Sequence, residues 1–484
     1  MSTYGAEIEK PISDITTGQP RGLSQRTFAR ISEIFDKSEL DYSDIEPNTV
    51  IAVEAPTIGH IGLDNGYNLQ ETSSKVTKSL GDLENIIQTD LKTIQNVLAE
   101  EGATVINLSI HPLGKTDKET HRVFVAPKGV YKYIAKRGWD HAAGIDAKAQ
   151  NSPSTGVLPE NAAKALTTII GASAAFVGIF ANSPFQEGKV SQFKESRLKM
   201  WDRFFKNSIS EGDRVTAKFP DKPFNTLKDY FGWMYGEGTN IHFVMASGDN
   251  YKTFGEAVIL IDNNPSVLEY LSMKKANGKF LKSGDKVQIK PNLKHAEVLQ
   301  FAQFASARIR WHFDHSRVNV DQFLEAYENN RLEELFSKGA VSDIYIEGRD
   351  PGANFPDSYL KTLNSDIAWS TVTSPSALQA GIINNLNEAY SYISNFSWKH
   401  LDLLRESAII KGLQGEVDGI NVYEFAKKIF EIAGRGLSMP DHRMLAYPEH
   451  VLNTKQNGAD RALEDFLEKG KSIEDIVKSR NVAT

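Results

Sequence analysis

Apolar residues along the chain fall into two rhythms, a helical one over long stretches and an alternating one over short stretches. Tyr4 to Pro11 alternates and reads as a short strand closed by proline. Ser24 to Lys37 carries Phe28, Ile31, Ile34 and Phe35 at helical spacing. Val50 to Val53 is a compact strand, and Ile58 to Leu69 reads as a hairpin turning at Asp64-Asn65-Gly66. From Ser73 to Glu101, Leu80, Leu83, Ile86, Ile87, Leu91, Ile94, Val97 and Leu98 recur on one face and predict a long helix stopped by Gly102. Ala103 to Ile110 predicts a strand, Glu160 to Ile179 a helix, Ile241 to Met245 a strand, Ala296 to Trp311 a helical run, and Asp343 to Glu347 a strand. The rest is helical: Ser376 to Ile393, Trp398 to Ile410, Tyr423 to Ala433 and Asp460 to Glu468. Strands mixed with long helices, without regular βαβ alternation, predict an α+β class.

Composition narrows the function. The 484 residues are 40% hydrophobic and 24% charged, ordinary for a globular chain with a sizeable core. A formal charge of −7 and the lack of a basic block argue against nucleic acid as a partner. With no cysteine, disulfides, thiol nucleophiles and thiolate metal sites are excluded. Met1 to Lys10 has no apolar signal core, and the most apolar stretch, Ala165 to Ala181, reads as a buried core helix rather than a span. The expectation is a cytoplasmic protein without a membrane partner.

Three clusters carry candidate chemistry. In Tyr4-Gly-Ala-Glu-Ile-Glu-Lys10 a strand puts Glu7 and Glu9 on one face, about 7 Å apart at Cα. Two carboxylates so placed suit a cation between them, and magnesium takes oxygen ligands; by spacing alone, though, a solvated strand edge is the better account of so common a pair. In Leu63 to Glu71, Asp64, Gln70 and Glu71 offer oxygens beside a turn that Asp-Asn-Gly would form whatever its role. In Tyr345-Ile-Glu-Gly-Arg-Asp350, Glu347 and Arg349 share a strand face and either pair with each other or divide between a metal and an anion. His111, Arg197 and the His312-Phe-Asp-His315 run are weaker candidates. Neither a Walker-type phosphate loop nor a G-x-S-x-G elbow is present.

In order along the chain, these pieces resemble the glutamate–cysteine ligase family, above all its plant-like and proteobacterial branch. Gly5-Ala-Glu-Ile-Glu-Lys10 is similar to the family's opening G-x-E-x-E strand, and Ile61 to Gln70 to its L-E-P-G-G-Q-x-E-L hairpin. Asn107 to Leu113 is similar to the strand ending in H-P or Q-P, Ala126-Pro-Lys-Gly-Val-Tyr131 to M-P-K-G-R-Y, and Tyr345 to Arg349 to Y-L-E-M-R. Phe180-Ala-Asn-Ser-Pro-Phe-Gln-Glu-Gly188, followed by Arg197 and Trp201, is the most specific piece. The resemblance covers most of the chain as one catalytic domain, 1–484. It leaves 255–320 as an insertion and 376–484 as a helical C-terminal part.

The resemblance implies a glutamine-synthetase-like fold, in which a curved antiparallel sheet forms an active-site funnel packed by long helices. It implies ATP and Mg2+, with metal held by Glu7, Glu9, Asp64, Glu71 and Glu347. Arg197 and Arg349 would be catalytic, Lys128 and Arg197 nucleotide-binding, and Gln70, His111, Gln150 and Asn151 substrate-binding. Its partners would be small molecules: ATP, glutamate or a similar acid, and cysteine or another amine. The chain departs from the family where Gln70 replaces a metal-binding glutamate, so that Gln70 stands in for the ligand or a bulge lets Glu71 serve. It also departs at Val130, where the family has arginine. These departures keep open a different amine; a relative that only binds nucleotide or a partner chain is a third reading, against which the intact Glu7, Glu9, Glu347 and Arg349 argue.

Overall fold

The computed structural model describes residues 2–144, 148–246 and 258–483. Its frame is a nine-stranded antiparallel sheet. Strands β1 (Tyr4–Asp14), β2 (Glu39–Tyr42), β3 (Val50–Ala55), β4 (Gly59–Leu63), β5 (Leu69–Ser74), β6 (Ala103–Val105) and β7 (Asn151–Gly156) come from the first third of the chain. A hairpin of β8 (Phe185–Gln186) and β9 (Lys189–Val190) stands apart. A separate four-stranded sheet follows, with β10 (Val244–Met245), β11 (Val258–Ile261), β12 (Ala276–Phe280) and β13 (Lys286–Ile289). The main sheet is completed by β14 (Ala307–Phe313) and β15 (Val341–Gly348), and runs β14-β15-β7-β1-β5-β4-β3-β2 with β6 beside β1.

The α+β class holds, but the curved funnel wall does not. The main sheet is open: β14 and β2 are its two edges and do not pair with each other. Strong curling comes from bulges in interior strands, whereas the register shifts lie at the edges, between Asp41 and Tyr42 and between His312 and Phe313. The ladders of β1 with β5 and with β7 run without a shift.

Local signals explain most elements. The helix Leu80–Glu100 starts later than its apolar rhythm suggested, because Ser73 and Ser74 are still paired in β5. Ser79 caps it by accepting from the Asp82 amide, and Gly102 ends it at a φ of +69°. Pro11 does not close β1: it pairs with Leu69, and its carbonyl accepts from the Ile106 amide at 3.2 Å. The 160–179 stretch is two helices, Pro159–Gly171 and Ser173–Phe180, bent by 47° and buried in the larger core. Among the described residues no single helix is long and apolar enough to cross a membrane, although this bent pair passes by length and composition together.

One reading fails outright. Ala296 to Trp311 is not a helical run: a short helix, Leu293–Val298, gives way to β14. Ala307, Ile309, Trp311 and Phe313 turn to the core while Arg308, Arg310 and His312 alternate with them. That period of two is a strand signal, and it was the informative one. The region read as an insertion holds β11 to β13 and β14; its residues up to 257 lie outside the described residues.

The main sheet has one dry face. Ile8, Ile12 and Leu63 share a core with Leu83, Ile87 and Leu91 of the Leu80–Glu100 helix and with Val372 of the helix Ser365–Asn384. Lys10 also points into this face, where its Nζ meets Asp90 at 2.8 Å and Thr72 at 2.9 Å, both partners of the pair being almost fully buried. Burial pulls the Lys10 ammonium below its usual range against the pull of Asp90. Truncating Asp90 to alanine strands that charge and is expected to cost about 3–5 kcal/mol, while the joint change Lys10→Met with Asp90→Leu is expected near neutral. Urea unfolding of both variants checks this; a loss under about 1 kcal/mol in Asp90→Ala contradicts it.

Candidate functional site

The opposite face of the same strands bears the acids. Glu7 and Glu9 of β1 alternate with the core residues Ala6, Ile8 and Lys10. Across the ladder, Glu71 lies opposite Glu9 and Ser73 opposite Glu7. Glu71 therefore reaches the acid face with no bulge. Gln70 lies opposite Lys10 on the dry face, fully buried, its Nε2 donating to Thr72 Oγ1 at 3.0 Å. Of the two candidates at the hairpin, the geometry brings Glu71 into the site and takes Gln70 away from it. Asp64, at the end of β4, completes a trio: oxygens of Glu9, Asp64 and Glu71 lie within 4.8 Å of one another.

These acids line a cavity of about 340 Å³. Its other half is basic, with Arg308, Arg310 and Arg349 among the lining residues. Glu347, directly behind them, takes Arg308 at 2.7 Å, Arg349 at 3.0 Å and Arg310 at 3.9 Å. An aromatic wall of Tyr131, Trp139, Trp201, Phe204 and Phe304 closes a third side. Lys128 lines the cavity and donates to the Leu63 and Asp64 carbonyls, which pins the β4–β5 turn. Tyr131 donates to the same Asp64 carbonyl at 2.6 Å. A larger open hollow of about 780 Å³ lies elsewhere, where Asp343 is the one charged residue in its lining, and it gathers no comparable chemistry.

The electrostatics divide the cavity. Burial first, and then the Asp64 and Glu71 charges, push Glu9 up to about 8 despite the opposing pull of Lys148. Burial first, and then Glu347 and Glu71, push Glu7 up to about 7. Burial would raise Glu347 too, but the guanidiniums of Arg308, Arg349 and Arg310 overcome it and hold the group at about 2. Full ionisation of the acid half is therefore costly without a further cation, and its ligand atoms are all hard oxygens. That donor set fits a magnesium ion. Glu347 is spent on arginines and stands behind the cavity wall rather than in the trio.

Several expected residues act from behind. Arg197 is fully buried and does not line the cavity. It donates to Glu195 at 2.7 Å, to Gln150 Oε1 at 3.0 Å, and to the Arg349 and Asp350 carbonyls at 3.2 and 2.6 Å. It is a strut joining the β7 entry to the end of β15. Gln150 does reach the cavity, and its backbone N–H donates to Glu9 Oε2 at 3.0 Å. Asn151 turns away and donates to the Asn354 carbonyl at 3.1 Å. His111 is buried outside the cavity, its Nδ1 accepting from the Leu113 amide at 3.3 Å. Arg308, Arg310 and Lys148 were missed: the arginines sat inside a stretch read as helix, and Lys148 has no sequence signal.

A family model described as glutamate-cysteine ligase family 2 matches residues 33–237, less than half of the chain. No curated protein matches. Among solved structures, a glutamate–cysteine ligase from Francisella tularensis in complex with AMP is 9% identical, with 99% of this chain and 87% of that chain covered and a TM-score of 0.47. A bifunctional glutathione synthetase from Pasteurella multocida is 11% identical, with 99% and 51% covered and a TM-score of 0.42, so the chain spans about half of that protein. These superpositions are too loose to carry an argument.

The buried histidine makes a pH prediction. Burial lowers His111 from 6.5 to about 3, so below pH 6.5 the unfolded chain takes up a proton that the folded chain refuses. Its stabilisation is complete above pH 6.5 and falls at about 1.4 kcal/mol per pH unit as pH drops toward 3. His111→Asn, whose amide oxygen can replace Nδ1 as acceptor, is expected to lose about 2 kcal/mol less than the parent between pH 7 and 5. Denaturant unfolding at the two pH values checks it, and equal losses refute it.

Proposed function

We propose that the chain is an ATP-dependent carboxylate–amine ligase that forms a γ-glutamyl amide through an acyl phosphate, with glutamate and cysteine as default substrates. The observation that carries the reading is the meeting of an oxygen trio, Glu9, Asp64 and Glu71, with an arginine bank, Arg308, Arg310 and Arg349, in one cavity. The family match over residues 33–237 supports it.

Glu9, Asp64 and Glu71, with Glu7 alongside, would hold magnesium. Bound there, the ion supplies positive charge to polyphosphate oxygens, the recurring need of phosphoryl transfer. The arginines would bind the anionic groups of nucleotide and acid, Arg349 by its fork, and would neutralise charge that develops on the transferred phosphoryl group. Glu347 orients that bank by engaging all three guanidiniums. In the first step the substrate carboxylate attacks the γ-phosphorus of ATP, and ADP leaves. In the second the amine attacks the acyl carbon, loses a proton, and phosphate leaves. The aromatic wall shields this mixed anhydride from water.

One observation favours a second acceptor. Trp201, Phe204 and Phe304 stand among the lining residues, and such a wall suits an amine with an apolar or aromatic group.

Amine-dependent ADP release with magnesium, ATP, glutamate and a panel of amino acids and amines tests both readings. Glu71→Gln is expected to lower release by at least about 100-fold, as loss of a charge that acts on the transferring phosphate does. Gln70→Ala, on the dry face, is expected to keep turnover within a few-fold while lowering stability by about 1–3 kcal/mol. Unchanged turnover in Glu71→Gln overturns the assignment of the trio. Release with no amine in the panel overturns the ligase reading.

A further inference from the structure

Beside the acid trio sits a cation that the reading above does not use. Lys148 is almost fully buried, and its Nζ lies 3.6 Å from Glu9 Oε1 and 4.0 Å from Asp64 Oδ2. Its backbone is fixed by a bridge to Ile110 and by the Ala149 amide donating to the Ser109 carbonyl at 2.7 Å. The ammonium is therefore delivered to the trio by an ordered segment.

Both separations exceed the 2.7–2.9 Å of a charge-assisted hydrogen bond. Lys10, on the other face, shows the contrast: it stands 2.8 Å from Asp90 and is committed to it. Lys148 instead lies between two carboxylates at Coulomb range. Glu9 Oε2 accepts from the Gln150 amide, and Lys148 lies toward Oε1 of the same carboxylate. Nζ already lies over the Trp201 ring, 5.4 Å from its centre, so the ring face holds the ammonium beside the carboxylates.

We propose that Lys148 is the built-in counter-cation of the Glu9–Asp64–Glu71 trio, holding the carboxylates together until a divalent ion enters and competes with it for them. The inference rests on the reading of the trio as the metal-holding end of the cavity. Two cations drawn to the same carboxylates in a medium of low dielectric oppose each other strongly. The lysine therefore weakens ion binding while it stabilises the ion-free protein, and the two effects have one origin.

Mn2+ titrated into nucleotide-free protein and followed by electron paramagnetic resonance tests this, with thermal melting measured in parallel. Lys148→Met is expected to bind Mn2+ on the order of tenfold more tightly, to melt lower without Mn2+, and to gain more from Mn2+ than the parent. Lys148→Arg, which keeps the charge, is expected within about threefold of the parent. Should Lys148→Met not fold without metal, Lys148→Gln takes its place in the same comparison. Unchanged or weaker Mn2+ binding in the neutral variant overturns the proposal. Mn2+ binding by the parent that Glu71→Gln does not weaken overturns the metal-end reading itself, so the two failures are told apart.

Discussion

The register of the β1–β5 ladder is the constraint on which the cavity depends. Glu9 opposite Glu71, and Lys10 opposite Gln70, separate two kinds of chemistry by the thickness of one sheet. A slip of one residue in β5 would bring Gln70 into the acid face and bury Glu71 beside Asp90. Such a slip is opposed from the dry side, where Thr72 accepts from Lys10 and donates to Asp90. The buried ion pair contributes little net stability, but it is directional and tolerates one pairing. The polar network beneath the sheet thereby holds the carboxylates above it.

With the register set, burial and charge assign the roles. The same sheet carries Glu9 at about 8 and Glu347 at about 2. Both are deeply buried, so desolvation does not separate them; their neighbours do. Glu347 faces three guanidiniums, whereas Glu9 faces two carboxylates against one ammonium and the Arg349 guanidinium. An acid half that needs a cation and a basic half that takes an anion lie within one cavity, which is the polarity a metal–polyphosphate complex requires.

How much was legible follows from the same physics. Glu7 and Glu9 could be placed because strand alternation is local, and Gly102 because a helix stop is local. Glu71 against Gln70 could not be decided, since it depends on pairing with a strand sixty residues away. Arg197 was given a catalytic part because its spacing resembled a family pattern; spacing does not tell whether a guanidinium meets substrate or backbone carbonyls, and here it meets Arg349 and Asp350. The run from Ala307 to Phe313 holds the strand period, but a helical reading that starts at Ala296 runs across it and hides Arg308 and Arg310. Lys148 rests on distances alone.

The open sheet changes where selectivity must reside. A sheet curled into a funnel would enclose substrates by its own strands. This one ends in two edges, so it supplies a charged floor, and much of the enclosure comes from other segments. Lys128, Tyr131, Trp139 and His141 come from one stretch after β6, Trp201 and Phe204 from another, and Phe304 from the turn before β14. Val130, where the related pattern carries arginine, lies in the first of them. On the proposed function the charged floor would answer to phosphate chemistry, which tolerates little variation in oxygen and guanidinium geometry. The aromatic walls would answer to the shape of the acceptor, and they could change without disturbing the ladder beneath.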